Sequence, residues 1–453
     1  MFEANGVLKA TGGRLLQGDS RVSFKSISMD TRSIKPGEAF IAIKGNNFDG
    51  HDFISEAVKK GSSCIIKEKR GSIPKAKKVA VIEVRDTIKA LGSLARYQRE
   101  RYDIPVIAVT GSNGKTTTKE MIAHVLSGYH KVLKNEGTKN NQIGLPLALL
   151  KLDPSFDFAV LEIGTNHFGE VKYLADICRP NIGLITNIAA AHLKHFHNLR
   201  GVFREKRTLL GSLLYPNIAI LNSDDPFLRR ELKEKYKKVF ALGFGISDHA
   251  EFLASNIRSY QNRTEFLVNS KYNFTLKTPG CYNIYNALAA IALGRIFGMG
   301  YADISSRLSA FEFPQGRLKL VKFKKISFID DTYNANPASL RQALEALAEF
   351  KTKGRKILVM ADMLELGREA RSLHRQAGQE LARVCDIFIA VGDLAKLTAS
   401  SAAYAGMPKK FIFACRSSRE AGVILRKKIA VGPQDITLVK GSRAMKMEEV
   451  FNN

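Results

Sequence analysis

The stretch VIAVTGSNGKTTTKEMI (106–122) constrains this chain more than any other. An apolar run enters Gly111, Ser112, Asn113, Gly114, Lys115, Thr116 and Thr117 and leaves as a helical pattern. Strand, glycine-bearing turn and helix in that order let backbone N–H groups close around an anion. The start of the helix adds unsatisfied donors and positive dipole character. A strand this apolar belongs inside a parallel sheet covered on both faces. Lys115 is placed to neutralise outer phosphates, and the Thr116 hydroxyl to ligate Mg²⁺. The spelling departs from G-x-x-x-x-G-K-[ST], because Val109 stands where the first glycine is required. A nucleotide site is expected; the alternative is a strand–helix turn with an exposed lysine.

The chain has 453 residues, enough for about three domains at roughly 150 residues each. AFIAIKG (39–45) and SCIIKEK (63–69) are short apolar runs, and 86–103 reads as a helix with Ile88, Leu91, Leu94 and Ala95 on one face. From 104 to 314, buried strands (104–111, 158–164, 181–188) alternate with helices (115–129, 283–298). From 315, strands at 355–362, 385–393 and 435–442 alternate with helices near 338–350 and 370–384. The expectation is α/β throughout. It comprises a small N-terminal domain (1–103), a central phosphate-loop domain with a mostly parallel sheet (104–314), and a C-terminal open-sheet, Rossmann-like domain (315–453) with ligands beyond its strand ends.

Lys and Arg outnumber Asp and Glu by 70 to 43, a net charge of +27. Such a field favours polyanions or phosphorylated substrates. The excess is spread over 59–60, 75–78, 229–238 and 319–325 without an aromatic-basic RNA signature, so solvated helix faces are expected and no nucleic acid. The five cysteines (64, 178, 281, 385, 415) are isolated, which suits a reducing cytoplasm. No apolar run is long enough to span a bilayer, and the N-terminus has no secretory pattern.

Glu162 ends an apolar strand, where a carboxylate can face the phosphate loop; alone it reads as a cap or a surface charge. His192 follows another strand and alone reads as a loop histidine. Lys206 alone is a solvated lysine, and Arg317 a linker cation. Asn283 and Asn286 share a helix face. The spelling TGSNGKTT resembles the ATP loop of the Mur ligase family and its folylpolyglutamate synthetase relatives, which make amide bonds through an acyl phosphate. That resemblance implies ATP and two Mg²⁺ ions. It makes Glu162 and His192 metal ligands with Thr116, and Lys206 a carbamylated lysine binding the second ion. It puts Asn283 and Asn286 near adenine and Arg317 at the γ-phosphate. His195 and His197 have no match.

The stretch NEGTKNNQIGLPLALL (135–150) is similar to the family's substrate loop, with Thr138, Asn140 and Asn141 as polar contacts. Residues 28–66 are similar to the uridine-nucleotide domain of the later Mur ligases, which implies Asp30, Thr31, Arg32, Asn46, Asn47 and His51 as ligands of a UDP sugar; each also fits turn chemistry. Residues 329–344 and 359–374 resemble the branch that joins D-alanyl-D-alanine to a UDP-linked muramoyl tripeptide. The resemblance gives Asp331, Tyr333, Asn334 and Asn336 to the ATP ribose and the dipeptide, and lines the same cleft with Asp362, Leu364 and Glu365. A monomer is expected. His374 reads as a structural helix-face histidine. The competing readings are a nucleotide binder that has lost ligation and the ligase adding the third amino acid.

Overall fold

A computed structural model describes residues 2–451 apart from 72, 74, 75, 77, 235–238, 248, 324 and 325. Parts of the basic stretches 75–78, 229–238 and 319–325 therefore lie outside the described residues. Besides a two-stranded ribbon, Phe2–Glu3 with Ser23–Phe24, three larger sheets carry the described residues.

The first of these has five strands, Arg14–Gln17, Ala80–Glu83, Cys64–Lys67, Ala39–Ile41 and Ile27–Ser28 in spatial order; only the first pair is antiparallel. The helix expected at 86–103 spans Thr87–Glu100, because the Asp86 carboxylate accepts the Lys89 N–H at 2.9 Å and fixes its start. Its apolar face (Leu91, Leu94, Ala95) is buried. At its far end the buried Arg99 donates to the carbonyls of Cys178 (3.2 Å) and Ile104 (3.1 Å). One apolar cluster runs from Ile41 and Ile66 through this helix to Val106 and Leu161. The N-terminal and central sheets are thus built on a shared core.

The central sheet has nine strands. Seven run parallel, with Val106–Thr110 between Phe158–Glu162 and Ile182–Ile185. The parallel strands at its centre are buried along their whole length, which is why they read as continuous apolar runs. Its far edge is an antiparallel meander, Phe252–Ser259, Thr264–Val268 and Tyr272–Leu276. These strands largely alternate buried residues with half-buried or exposed ones, a period-two pattern that a search for continuous apolar runs passes over.

The third sheet has six strands, antiparallel only between Lys319–Phe323 and Ile326–Asp331, then parallel through Ile436–Lys440, Lys356–Ala361, Ile387–Val391 and Ile412–Cys415. Among the described residues no helix is long and apolar enough to cross a membrane. The five cysteines are free.

Candidate active site

Sheet register decides what meets the phosphate loop. Glu162 pairs with Val109, and Ile185 with Thr110. The loop, the Glu162 carboxylate and the segment leading to His192 therefore leave the sheet side by side, at the carboxyl ends of parallel strands.

The loop is tightly held. Gly111 sits at φ +145°, and a Cβ there would meet Thr186 Oγ1 at 1.9 Å, so no larger residue fits. Asn187 accepts the Asn113 N–H at 3.0 Å and donates to the Asn113 carbonyl at 3.1 Å. The Thr186 hydroxyl also donates to that carbonyl, at 2.6 Å. Ser112 exchanges bonds with the Ala189 backbone. Lys115 curls onto the carbonyls of Gly111 (3.0 Å) and Ser112 (3.1 Å). Burial holds its ammonium below lysine's usual range, opposed by the Glu162 carboxylate.

Glu162 is buried, and its Oε1 accepts the Asn140 amide at 2.6 Å. Its Oε2 is buried and has no hydrogen-bond partner. An orphaned carboxylate oxygen beside a phosphate loop fits a cation ligand. Thr116, also buried, accepts from Arg317 Nη2 at 3.2 Å. Among the described residues no three His, Cys, Asp or Glu side chains gather to hold a metal on their own. A hard cation here would depend on Glu162, the Thr116 hydroxyl and phosphate oxygens of the nucleotide.

Lys206 lies on the helix Leu199–Arg207 beneath this cluster, 2% exposed. Its ammonium makes no hydrogen bond or ion pair among the described residues. Burial first, then the neighbouring Lys115 charge, pushes its amine well below lysine's usual range.

Asn283 and Asn286, on the helix Tyr282–Ile296, are buried and bonded to each other at 2.9 Å. Asn286 Oδ1 accepts the Thr118 hydroxyl at 2.9 Å, tying this helix to the phosphate helix Lys115–Leu126. Asn283 borders the main cavity, while Asn286 borders a second one beside Asn187, Asp224 and Tyr285.

The C-terminal lobe completes the site. Arg317 stands between Gly316 (φ +70°) and Leu318 (φ +52°). Asp330 and Asp331 accept the N–H groups of Gly316 (2.9 Å) and Leu318 (3.3 Å). The Arg317 guanidinium lies 3.8 Å over the Tyr333 ring. Asn336 caps the helix Pro337–Glu349 with a capping box and donates to Asn113 Oδ1 at 2.6 Å. His192, at φ +53°, holds Nδ1 2.5 Å from Glu365 Oε2, a close contact off the line of an ideal hydrogen bond. Glu365 is itself at φ +63°. These contacts close the third lobe onto the second.

A cavity of about 470 Å³ brings together Ser112, Asn113, Gly114, Lys115, Thr116, Thr117, Asn140, Asn141, Glu162, His192, Asn283, Arg317, Asp331, Tyr333, Asn334 and Asn336. Gly111, Thr138, Lys206 and Asn286 are adjacent without bordering it. Asp362 is turned to the helix Asp393–Tyr404 and accepts the Ala395 N–H at 2.7 Å, while the Leu364 N–H is held by the Ser442 hydroxyl at 2.8 Å. The six N-terminal positions lie apart from the cavity. Asn46 and Asn47 are exposed. Arg32 pairs with Asp30 and pulls that carboxyl down to about 2. Thr31 is buried, its carbonyl accepting Lys60 Nζ at 2.8 Å. His51 is buried, with Nδ1 on Asp49 (2.6 Å) and Nε2 accepting the Glu68 N–H (3.1 Å), so its ring shapes the 44–50 loop.

Sequence reasoning missed Lys440. It ends the strand Ile436–Lys440, is 1% exposed, borders the cavity, pairs with Asp331 and donates to the Asn334 carbonyl at 3.0 Å. The signal was present: a charged residue closing a buried strand, as at Glu162. Asn187, which braces the phosphate loop, was visible in the same way as the polar residue following an apolar strand.

His374 is fully buried: its Nδ1–H donates to the Ala370 carbonyl (2.7 Å), and its Nε2 accepts the Met363 N–H (3.1 Å). Only the neutral ring makes both bonds, and burial pushes its pKa below the usual 6.5. A depressed base binds a proton more readily in the unfolded chain. Its stabilisation is complete above pH 6.5 and is lost as the solution becomes more acid. His374→Gln should cost about 1–3 kcal/mol at neutral pH. It should also flatten the fall in Tm between about pH 7 and about pH 5; an unchanged slope would contradict this role.

A three-lobed α/β protein whose phosphate loop is completed by a cation and loop from its last lobe defines a class of closing nucleotide enzymes. The chain belongs to the Mur ligase family. Residues 109–294 match the Mur ligase middle domain, 316–443 the Mur ligase glutamate ligase domain, and 23–99 the Mur ligase family catalytic domain. It is 35% identical to UDP-N-acetylmuramoyl-tripeptide–D-alanyl-D-alanine ligase of Escherichia coli (strain K12), covering 96% of this chain and 94% of that protein. The enzyme of the same name from Bacillus subtilis (strain 168) is 32% identical, with 94% and 92% covered. Crystal structure I of MurF from Acinetobacter baumannii superposes with a TM-score of 0.89 at 33% identity, covering 99% and 97%. The Thermotoga maritima MurF ligase in complex with ADP gives 0.83 at 27% identity, covering 95% and 96%.

Proposed function

We propose that this chain is an ATP-dependent ligase that joins D-alanyl-D-alanine to UDP-N-acetylmuramoyl-tripeptide in cytoplasmic peptidoglycan precursor synthesis, working as a monomer. The observation that carries it is the meeting of Lys115, Thr116, Glu162 and Arg317 on one cavity, with Lys206 beneath. Mere nucleotide binding has no use for an orphaned Glu162 oxygen and an unpaired buried lysine. The names of the relatives supply the substrates. The three domains are read as 1–103 for the UDP sugar, 104–314 for ATP and 315–453 for the incoming dipeptide.

The chemistry must bring a carboxylate to the γ-phosphorus against charge repulsion. Lys115 uncurls from its own loop carbonyls onto the outer phosphates. Arg317 meets the γ-phosphate from the other lobe. The tripeptide carboxylate forms an O–P bond as the bond to ADP breaks. The dipeptide amine then attacks the carbonyl carbon, loses a proton, and phosphate leaves. Closure of the lobes excludes water from the acyl phosphate. Thr116, Glu162 and His192 would hold Mg²⁺, which supplies charge neutralisation for the phosphates. For His192 this requires its Glu365 contact to steer one ring nitrogen inward.

Lys206 would serve as a carbamate: its neutral amine attacks CO₂, a proton leaves, and a cation becomes an anionic oxygen ligand. Its burial, its lack of a partner and its depressed pKa support this. The family's UDP-sugar contacts are assigned to Asp30, Thr31, Arg32, Asn46, Asn47 and His51, with His51 acting by shaping its loop.

Phosphate release with the UDP-tripeptide and D-alanyl-D-alanine, together and singly, tests the reading. Release requiring both is expected. No release under any combination would leave a nucleotide-binding protein, and release with a UDP-dipeptide and a diamino acid would mean the ligase one step earlier.

A further inference from the structure

Lys119 stands one helical turn beyond Lys115 and is fully buried. Its ammonium donates to the carbonyls of Asn135 (2.6 Å) and Gly137 (2.9 Å) and pairs with Glu120 at 2.8 Å. A buried lysine spending its donors on loop carbonyls is a clamp: the carbonyl of the buried Asn135 would otherwise be left without a partner inside the protein. The clamped loop is the one that reaches Glu162. The Asn135 side chain, also fully buried, accepts the Glu162 N–H (2.9 Å) and donates to the Glu162 carbonyl (3.1 Å) and the Lys139 carbonyl (2.9 Å). Five residues on, Asn140 donates to Glu162 Oε1 at 2.6 Å, while the Asn140 carbonyl accepts the Gly164 N–H at 3.0 Å. Together these bonds fix the backbone of Glu162 and one of its oxygens. The other, Oε2, remains buried and without a partner.

We propose that Lys119 is a positioning residue that sets Glu162 for a divalent cation, by clamping loop 135–139 to the phosphate helix. The inference rests on the reading of Glu162 as a cation ligand. It links the helix that would receive the phosphates to the loop that orients the carboxylate, so the two parts of the protein that would meet a cation are set by one element. Lys119 acts through Asn135 and Asn140 and touches no substrate. If Lys119 is removed, Glu120 keeps Lys134 as its ion-pair partner.

The test is Mn²⁺ binding, followed by electron paramagnetic resonance in the ADP-bound full-length protein, for wild type, Lys119→Met and Glu162→Gln, beside ADP affinity without metal and Tm. Lys119→Met should weaken Mn²⁺ about tenfold, the scale seen when the partner of a metal ligand is lost, with metal-free ADP affinity within about twofold. Wild-type Mn²⁺ affinity in Lys119→Met, or an equal loss of metal-free ADP binding, would overturn the proposal. If Glu162→Gln also binds Mn²⁺ as wild type does, the cation reading itself fails, a result distinct from failure of the clamp alone. Should Lys119→Met not fold, Asn135→Ala breaks the same chain from the loop side and is held to the same outcomes.

Discussion

Arg317→Ala should lower kcat by about 10³-fold or more at saturating ATP, while ADP affinity changes little. The guanidinium comes from the hinge between lobes, is pinned by Asp330 and Asp331 through its neighbours' N–H groups, and reaches Thr116 across the interface. In the proposed reaction its charge acts on the γ-phosphate from across the lobe interface, a contribution made to the transition state rather than to binding. Arg317→Lys should recover little. A lysine lacks the planar fork, and stacking on Tyr333 at 3.8 Å depends on that plane. Steady-state kinetics with ADP titration checks this; a rise in KM for ATP with kcat intact would show a binding role instead.

Lys206→Ala should lower activity by about 10²-fold or more and regain part of it with added acetate or propionate. Such acids restore the oxygen ligand that a carbamate would provide. The local chemistry favours the carbamate. The amine is buried, makes no ion pair among the described residues, and is pushed toward its neutral, nucleophilic form by burial and by Lys115, against a weaker pull from Glu205. The adjacent Arg207 pairs its guanidinium with Glu231 at 2.9 Å and offers no amine to CO₂. Full activity in the alanine variant, or no response to carboxylic acids, would remove Lys206 from the metal centre.

Much of this site was legible because parallel α/β sheets concentrate chemistry at strand ends. Glu162 and His192 each follow an apolar run, and the register that sets them beside Gly111 follows from strands that can only pair in parallel. What stayed hidden depended on side-chain pairing across long separations. Lys440 meets Asp331 over 109 residues, and Asn336 meets Asn113 over 223. No local pattern predicts that Asn336 both caps a helix and docks a lobe. Asp362 and His51 show the reverse: residues that a motif marks for ligands are committed to a helix start and a loop. The edge meander 252–276 escaped because its half-exposed strands alternate.

Glu205, beside Lys206, shows how closely structure and chemistry are spaced. Its carboxylate accepts the N–H groups of Gly169 (2.7 Å) and Val171 (2.8 Å), fixing the helix Glu170–Cys178 and the 164–170 loop that borders the cavity. One residue builds the wall, and the next is the lysine proposed to serve the site.

Oxygen transfer from acid to phosphate reports directly on activation by phosphorylation. With the reacting carboxylate of the UDP-tripeptide labelled with ¹⁸O, each turnover in the presence of ATP and D-alanyl-D-alanine should place one labelled oxygen in the inorganic phosphate released. Phosphate free of label, with amide still formed, would contradict an acyl-phosphate route through this cavity.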